Sequence, residues 1–119
     1  MIYGIGVDMV SISRIEKACK KEAFLKHVFS CKEIELYSGN SSKLAANFAA
    51  KEAFSKALGT GVRGFEMKEV ELFRDEIGKP YYSFSGKANE IVTANNLKSF
   101  ASVTDEEDTV VVFTVLEII

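Results

Sequence analysis

The chain has 119 residues, 47% of them apolar and 27% charged, and carries a net charge of −2. That balance describes a single soluble domain, 1–119, long enough to bury a core, and it argues against nucleic acid as a partner. No basic segment precedes an apolar run at the N-terminus and the longest apolar stretch, 110–116, is too short to span a bilayer, so neither a signal peptide nor a membrane span is expected and a cytoplasmic location is. Cys19 and Cys31 lack metal-type spacing and read as reduced thiols.

Residues 2–8 alternate as a strand, with Tyr3, Ile5 and Val7 on one side and Gly4, Gly6 and Asp8 on the other. A first helix follows, with Ser13 and Glu16 at capping-box spacing, then a second over 22–29. Ser30 and Glu33 repeat the capping-box spacing and open a short helix toward Tyr37. After a polar break at 39–42, a long helix is expected from about Lys43 to Leu58, ended by Gly59. Strands at 69–73 and 81–84 flank a turn at 75–80, and Ser85 can cap a helix through Ala94. The last strands, 98–104 and 109–118, are joined by the acidic run 105–108. Helices followed by a mostly antiparallel sheet make the class α+β. Strand 109–118 is apolar on both faces, so its outer face needs a second cover, and an oligomer is expected.

Charge is unevenly placed: residues 1–63 hold ten Lys/Arg against six Asp/Glu, and residues 64–119 hold five against eleven. Arg14, Lys17 and Lys21 form a basic stripe on the first helix, either a solvated face or a dock for an acidic partner. His27 stands alone in an apolar helix and reads as packing or surface.

The densest signal is Phe48–Gly61, where Glu52 and Lys56 lie one helical turn apart among Phe48, Ala49, Ala50, Ala53, Phe54, Ala57 and Leu58. Charges in such company need partners, and a metal or a phosphate would supply them. On an exposed face the same spacing would be only an ion pair worth ~0.2–0.5 kcal/mol. Lys51 adds a third charge, placed on a different face. Asp8 reads either as a helix cap or, with Glu52, as the second carboxylate of a site for a hard cation such as Mg²⁺. Gly59-Thr60-Gly61 is either a helix cap and turn or a loop whose amides meet a phosphate, since a helix C-terminus does not itself attract anions.

Taken together, Gly4-Ile5-Gly6-Val7-Asp8, Arg14-Ile15, Leu44-Ala45, Phe48 through Ala53, Lys56 through Gly61 and Gly78-Lys79-Pro80 resemble the bacterial holo-[acyl-carrier-protein] synthases, small trimeric 4′-phosphopantetheinyl transferases. The resemblance implies a 4′-phosphopantetheinyl transferase-like α+β fold and transfer of 4′-phosphopantetheine from coenzyme A to a serine of apo acyl carrier protein, with release of 3′,5′-ADP, in fatty acid biosynthesis. It implies Asp8, Glu52 and Lys56 as catalytic residues, Asp8 and Glu52 as ligands of Mg²⁺ or Mn²⁺, and Lys56 on the pyrophosphate. Coenzyme A contacts are implied for Lys51, Lys56, Gly59, Thr60, Gly61, Pro80, Ser102 and Thr104. Arg14, Lys17 and Lys21 would dock the acidic carrier protein, and the active sites would lie between subunits of a homotrimer. Either Glu52 or a metal-bound water would take the serine proton.

Two positions depart from the pattern. Asn47 stands where such enzymes usually carry Arg, and Ser102-Val103-Thr104-Asp105 replaces a Ser-x-Ser-His. Both changes remove positive or protonatable groups near the nucleotide end of coenzyme A, which predicts weaker 3′-phosphate recognition or other basic residues in substitution. A catalytically impaired paralogue that binds coenzyme A or carrier protein, and a Mg²⁺-dependent nucleotide hydrolase, are the competing readings.

Overall fold

The computed structural model describes residues 1–119. Strand β1 (Ile2–Ser11) is followed by helices α1 (Ile12–Cys19), α2 (Glu22–Val28), α3 (Cys31–Tyr37) and α4 (Ser41–Leu58), then by a 3-10 turn (Met67–Glu69). Strands β2 (Val70–Arg74) and β3 (Pro80–Phe84), helix α5 (Gly86–Ala94) and strands β4 (Leu97–Glu106) and β5 (Thr109–Ile118) complete the chain. The α+β class holds, and every strand pair is antiparallel, but the strands form two sheets: three strands in the order β1-β5-β4, and the separate hairpin β2-β3. No helix is long and apolar enough to cross a membrane, and both cysteines are free.

Helix α4 organises the molecule. Asn40 caps its start, accepting from the Lys43 amide at 3.2 Å, and Gly59 ends it in the left-handed region at φ 83°. Its alanines favour helix and, being small, let it approach the sheet closely. Gly4 and Gly6 complete that approach: a Cβ at either position would collide with the carbonyl oxygen of Ala57 or Ala53. The room beneath Asp8 is therefore filled by helix backbone, not by a ligand. Val10, Val110 and Val112 on the inner face of the sheet join Ala45, Ala49, Ala50 and Ala53 in one core cluster. Toward the C-terminal end of α4, Phe54, Phe65, Val70, Ala88 and Leu116 form a second cluster. The Tyr82 hydroxyl ties β3 to both other layers, donating to Ala50 O at 2.7 Å and pairing with Thr114 Oγ1 at 2.6 Å, and burial pushes its pKa up.

Three local expectations need correction. Strand β1 runs to Ser11 because its pairing with β5 continues to Thr109, so Ser11, not Ser13, caps α1. Both serine hydroxyls donate to Asp108 Oδ2 at 2.7 Å, and these bonds lower the Asp108 pKa. Helix α1 ends at Cys19, so Lys21 is not on it; Lys21 precedes α2, and the basic stripe divides between two elements. The acidic connection shortens to Glu107 and Asp108, with Asp105 and Glu106 paired in β4. At Ser30 the capping box forms as expected, with Ser30 Oγ accepting from the Glu33 amide at 3.2 Å and Glu33 Oε1 accepting from the Ser30 amide at 3.1 Å.

Candidate active site

Asp8 faces inward from β1 and Glu52 and Lys56 project from the adjoining side of α4, so strand and helix, 44 residues apart in sequence at Asp8 and Glu52, deliver three charges to one place. The Lys56 ammonium donates to Asp8 Oδ1 at 3.2 Å and to Val7 O at 3.0 Å. Its partner is thus Asp8, not Glu52 one turn away. The apolar neighbours of Glu52 and Lys56 in sequence suggest burial, but Glu52 is only half-buried and the Lys56 side chain is 54% exposed. Burial first, and then the charge of Asp8, push the Glu52 carboxyl up, with Lys56 pulling it the other way. Two carboxylates that feel each other beside a single exposed ammonium leave a local excess of negative charge facing solvent.

The buried charge is Lys51. It is 1% exposed and its ammonium donates to Glu33 Oε1 at 2.6 Å, Met67 O at 3.2 Å and Val70 O. Three acceptors use all three ammonium protons, so Lys51 has none left for coenzyme A, and the expected ligand contact is corrected to a structural one. Burial lowers its pKa, against the attraction of Glu33. Glu33 is itself fully buried, and its Oε2 accepts from Asn47 Nδ2 at 2.7 Å and from the Leu72 amide at 3.3 Å. This network holds α3, α4 and β2 together. The capping-box spacing accounts for Glu33 only as a helix cap; its partners in α4 and β2 leave no local trace in the sequence.

The remaining predicted site residues are dispersed. Gly59, Thr60 and Gly61 follow Lys56 on an exposed loop, where Thr60 Oγ1 donates to Gly61 O at 3.2 Å. Pro80 lines a groove of about 620 Å³ with Tyr37, Lys43, Arg74 and Asp105 among others. Ser102 and Thr104 pair with Phe113 and Val111 on the outer face of the large sheet, away from Asp8. Arg14, Lys17 and Lys21 are all exposed and take part in none of the ion pairs. One chain therefore gathers Asp8, Glu52 and Lys56 but leaves Pro80, Ser102 and Thr104 elsewhere. No group of three or more His, Cys, Asp or Glu side chains is placed to hold a metal.

A family model described as the 4′-phosphopantetheinyl transferase superfamily matches residues 4–115. A holo-[acyl-carrier-protein] synthase from Clostridium botulinum (strain Eklund 17B / Type B) is 42% identical over the whole of both chains. The chain belongs to the holo-[acyl-carrier-protein] synthase family. As a member it is a phosphopantetheinyl transferase. The family fold agrees: the crystal structure of the holo-[acyl-carrier-protein] synthase from Neisseria meningitidis superposes with a TM-score of 0.88 at 36% identity, covering 98% of this chain and 99% of that one. The Helicobacter pylori synthase in complex with coenzyme A superposes with a TM-score of 0.82 at 32% identity, covering 95% of this chain and 99% of that one.

Proposed function

We infer that the chain transfers 4′-phosphopantetheine from coenzyme A to a serine of apo acyl carrier protein. The serine oxygen attacks the phosphorus on the pantetheine side of the pyrophosphate, the bond to the second phosphate breaks, and 3′,5′-ADP leaves. The observation that carries this reading is the convergence of Asp8, Glu52 and Lys56 at the edge of α4 in a chain of this family. The Helicobacter pylori relative's complex with coenzyme A supports the donor.

Asp8 and Glu52 fit a divalent cation, because two carboxylates with open sides suit Mg²⁺, which takes few protein ligands and keeps places for water and phosphate oxygens. When bound, that ion neutralises charge growing on the pyrophosphate. Lys56, exposed and held by Asp8 and Val7 O, is positioned to bind the pyrophosphate oxygens and orient the phosphorus toward the incoming serine. Loop amides at 59–61 extend that anion-binding edge. Arg14, Lys17 and Lys21, all exposed, supply positive charge for an acidic carrier protein.

The outer sheet face supports an assembly of copies. Ile5 is 58% exposed, Met9 68%, Phe100 44% and Phe113 42%, a continuous apolar face across β1, β5 and β4. The family resemblance makes the assembly a trimer, which would bring Ser102 and Thr104 of one copy to the edge of the next. Phe113→Asp is expected to give a folded monomer by sedimentation with transfer reduced at least tenfold; a variant that stays assembled removes this face from the interface.

The reaction is tested by mass spectrometry of apo carrier protein incubated with coenzyme A, Mg²⁺ and the enzyme. The expected result is a carrier protein heavier by one phosphopantetheine. Release of 3′,5′-ADP without protein modification would instead identify a nucleotide hydrolase.

A further inference from the structure

Tyr82 sends its hydroxyl from the hairpin into the seam between α4 and the large sheet. The phenol donates to Ala50 O at 2.7 Å and lies 2.6 Å from Thr114 Oγ1. A phenol has one proton, and a carbonyl can only accept. The bond to Thr114 therefore runs from the threonine hydroxyl to the phenol oxygen, and the two bonds form one chain from β5 through Tyr82 to α4. Thr114 is fully buried. The Tyr82 ring is stacked 5.5 Å from Phe84 and lies 5.8 Å from Phe54, which holds the hydroxyl in this direction.

Both ends of the chain adjoin the candidate centre. Ala50 is two residues before Glu52 on α4. Thr114 is the register partner of Gly6, two residues before Asp8 on β1. Along the seam, Gly4 meets the Ala57 carbonyl and Gly6 the Ala53 carbonyl. About one turn further back on α4, the Ala50 carbonyl meets the Tyr82 hydroxyl instead, while the next inward residue of β1 is Asp8. The glycine contacts thus end where the carboxylates begin, and Tyr82 supplies the next contact between helix and sheet.

Repulsion acts at this level of the seam. Asp8 and Glu52 are like charges, one on the strand and one on the helix, and each disfavours the close approach of the other. Lys56 ties the same two elements, but through a long and half-exposed side chain. The hydroxyl chain is buried, and hydrogen bonds shielded from water are electrostatically stronger. The two glycine contacts set how closely β1 and α4 approach, and the Tyr82 tie keeps α4 seated where the carboxylates push it away. A phenylalanine would fill the same space without making either bond.

We propose that Tyr82, through Thr114 and Ala50 O, is a positioning residue that holds the Glu52 turn of α4 against β1, so that Asp8 and Glu52 bind one divalent cation together. The proposal rests on the reading above that these two carboxylates take such an ion.

Binding of Mn²⁺ alone to the intact protein, followed by the electron paramagnetic resonance of the free ion, tests this without turnover. The wild type is expected to bind one Mn²⁺, and Glu52→Gln to bind it more than about tenfold more weakly. Tyr82→Phe and Thr114→Val should each weaken binding about 3–10-fold, the scale of one net hydrogen bond. The double variant should be little weaker than either single one, because each breaks the same chain. Ser30→Ala, which loses its bond to Glu71 and its cap on α3 away from this seam, should bind Mn²⁺ as the wild type does. In the transfer assay Tyr82→Phe should need more metal for half-maximal rate and regain the wild-type rate at saturating metal. Wild-type Mn²⁺ affinity in Tyr82→Phe or in Glu52→Gln, or an equal loss in Ser30→Ala, overturns the proposal. A protein that shows the expected Mn²⁺ pattern yet modifies no carrier protein upholds the positioning role and refutes the transferase reading instead.

Discussion

Replacing Glu52 with glutamine is expected to lower transfer to carrier protein by roughly 10²–10³-fold or more, the scale on which a single stabilising group at a charged transition state counts. The same variant is expected to melt no lower than wild type in metal-free buffer. The reason lies in the surroundings of Glu52: its carboxylate is half-buried and faces Asp8, so without a cation it is held in an unfavourable setting that glutamine relieves. Asp8→Asn should lose transfer as well but should not gain stability, since Asp8 is the partner of Lys56. Transfer assayed by mass spectrometry, beside thermal unfolding in EDTA, separates the two effects. An active Glu52→Gln enzyme would remove Glu52 from the chemistry.

The opposite pattern is expected one residue earlier. Lys51→Met leaves Glu33 charged in the core with no counterion, and breaking one side of a buried pair costs about 3–5 kcal/mol. The urea midpoint should fall sharply, while the KM for coenzyme A of whatever enzyme remains folded should hold. Adding Glu33→Gln removes the orphaned charge but keeps an acceptor for Asn47 and the Leu72 amide. The double variant should therefore be more stable than Lys51→Met alone, a coupling that a thermodynamic cycle measures. If Lys51→Met instead keeps the wild-type midpoint and raises the KM for coenzyme A, Lys51 belongs to the ligand site.

Much of this arrangement is legible in the amino-acid sequence. Phe48 through Gly61, the capping box at Ser30 and Glu33, and the turn before Pro80 are local patterns, and local geometry settles them. The division of the strands into two sheets is not local. Whether β3 joins β4 depends on how α5 and Tyr82 pack, and no residue of β3 announces it. The assignment of the buried lysine failed for a similar reason. Lys51 and Glu52 are neighbours about 100° apart around α4, so which of them enters the core is decided by where β2 and α3 settle, well away along the chain. Asn47 visibly lacks the arginine's charge, but its hold on Arg74 joins elements 27 residues apart and depends on the fold.

Gly4 and Gly6 have a mechanical consequence. Where side chains separate two elements, rotamer changes let them slide and breathe. Between β1 and α4 there is no such cushion, because backbone rests on backbone at two successive inward positions. The spacing of Asp8 from Glu52 and Lys56 is thus set by main-chain contact and is as stiff as the sheet itself. Any motion that admits a carrier protein and releases a nucleotide must then occur at the exposed loop beyond Gly59 or at the boundary between copies, around a centre that stays still.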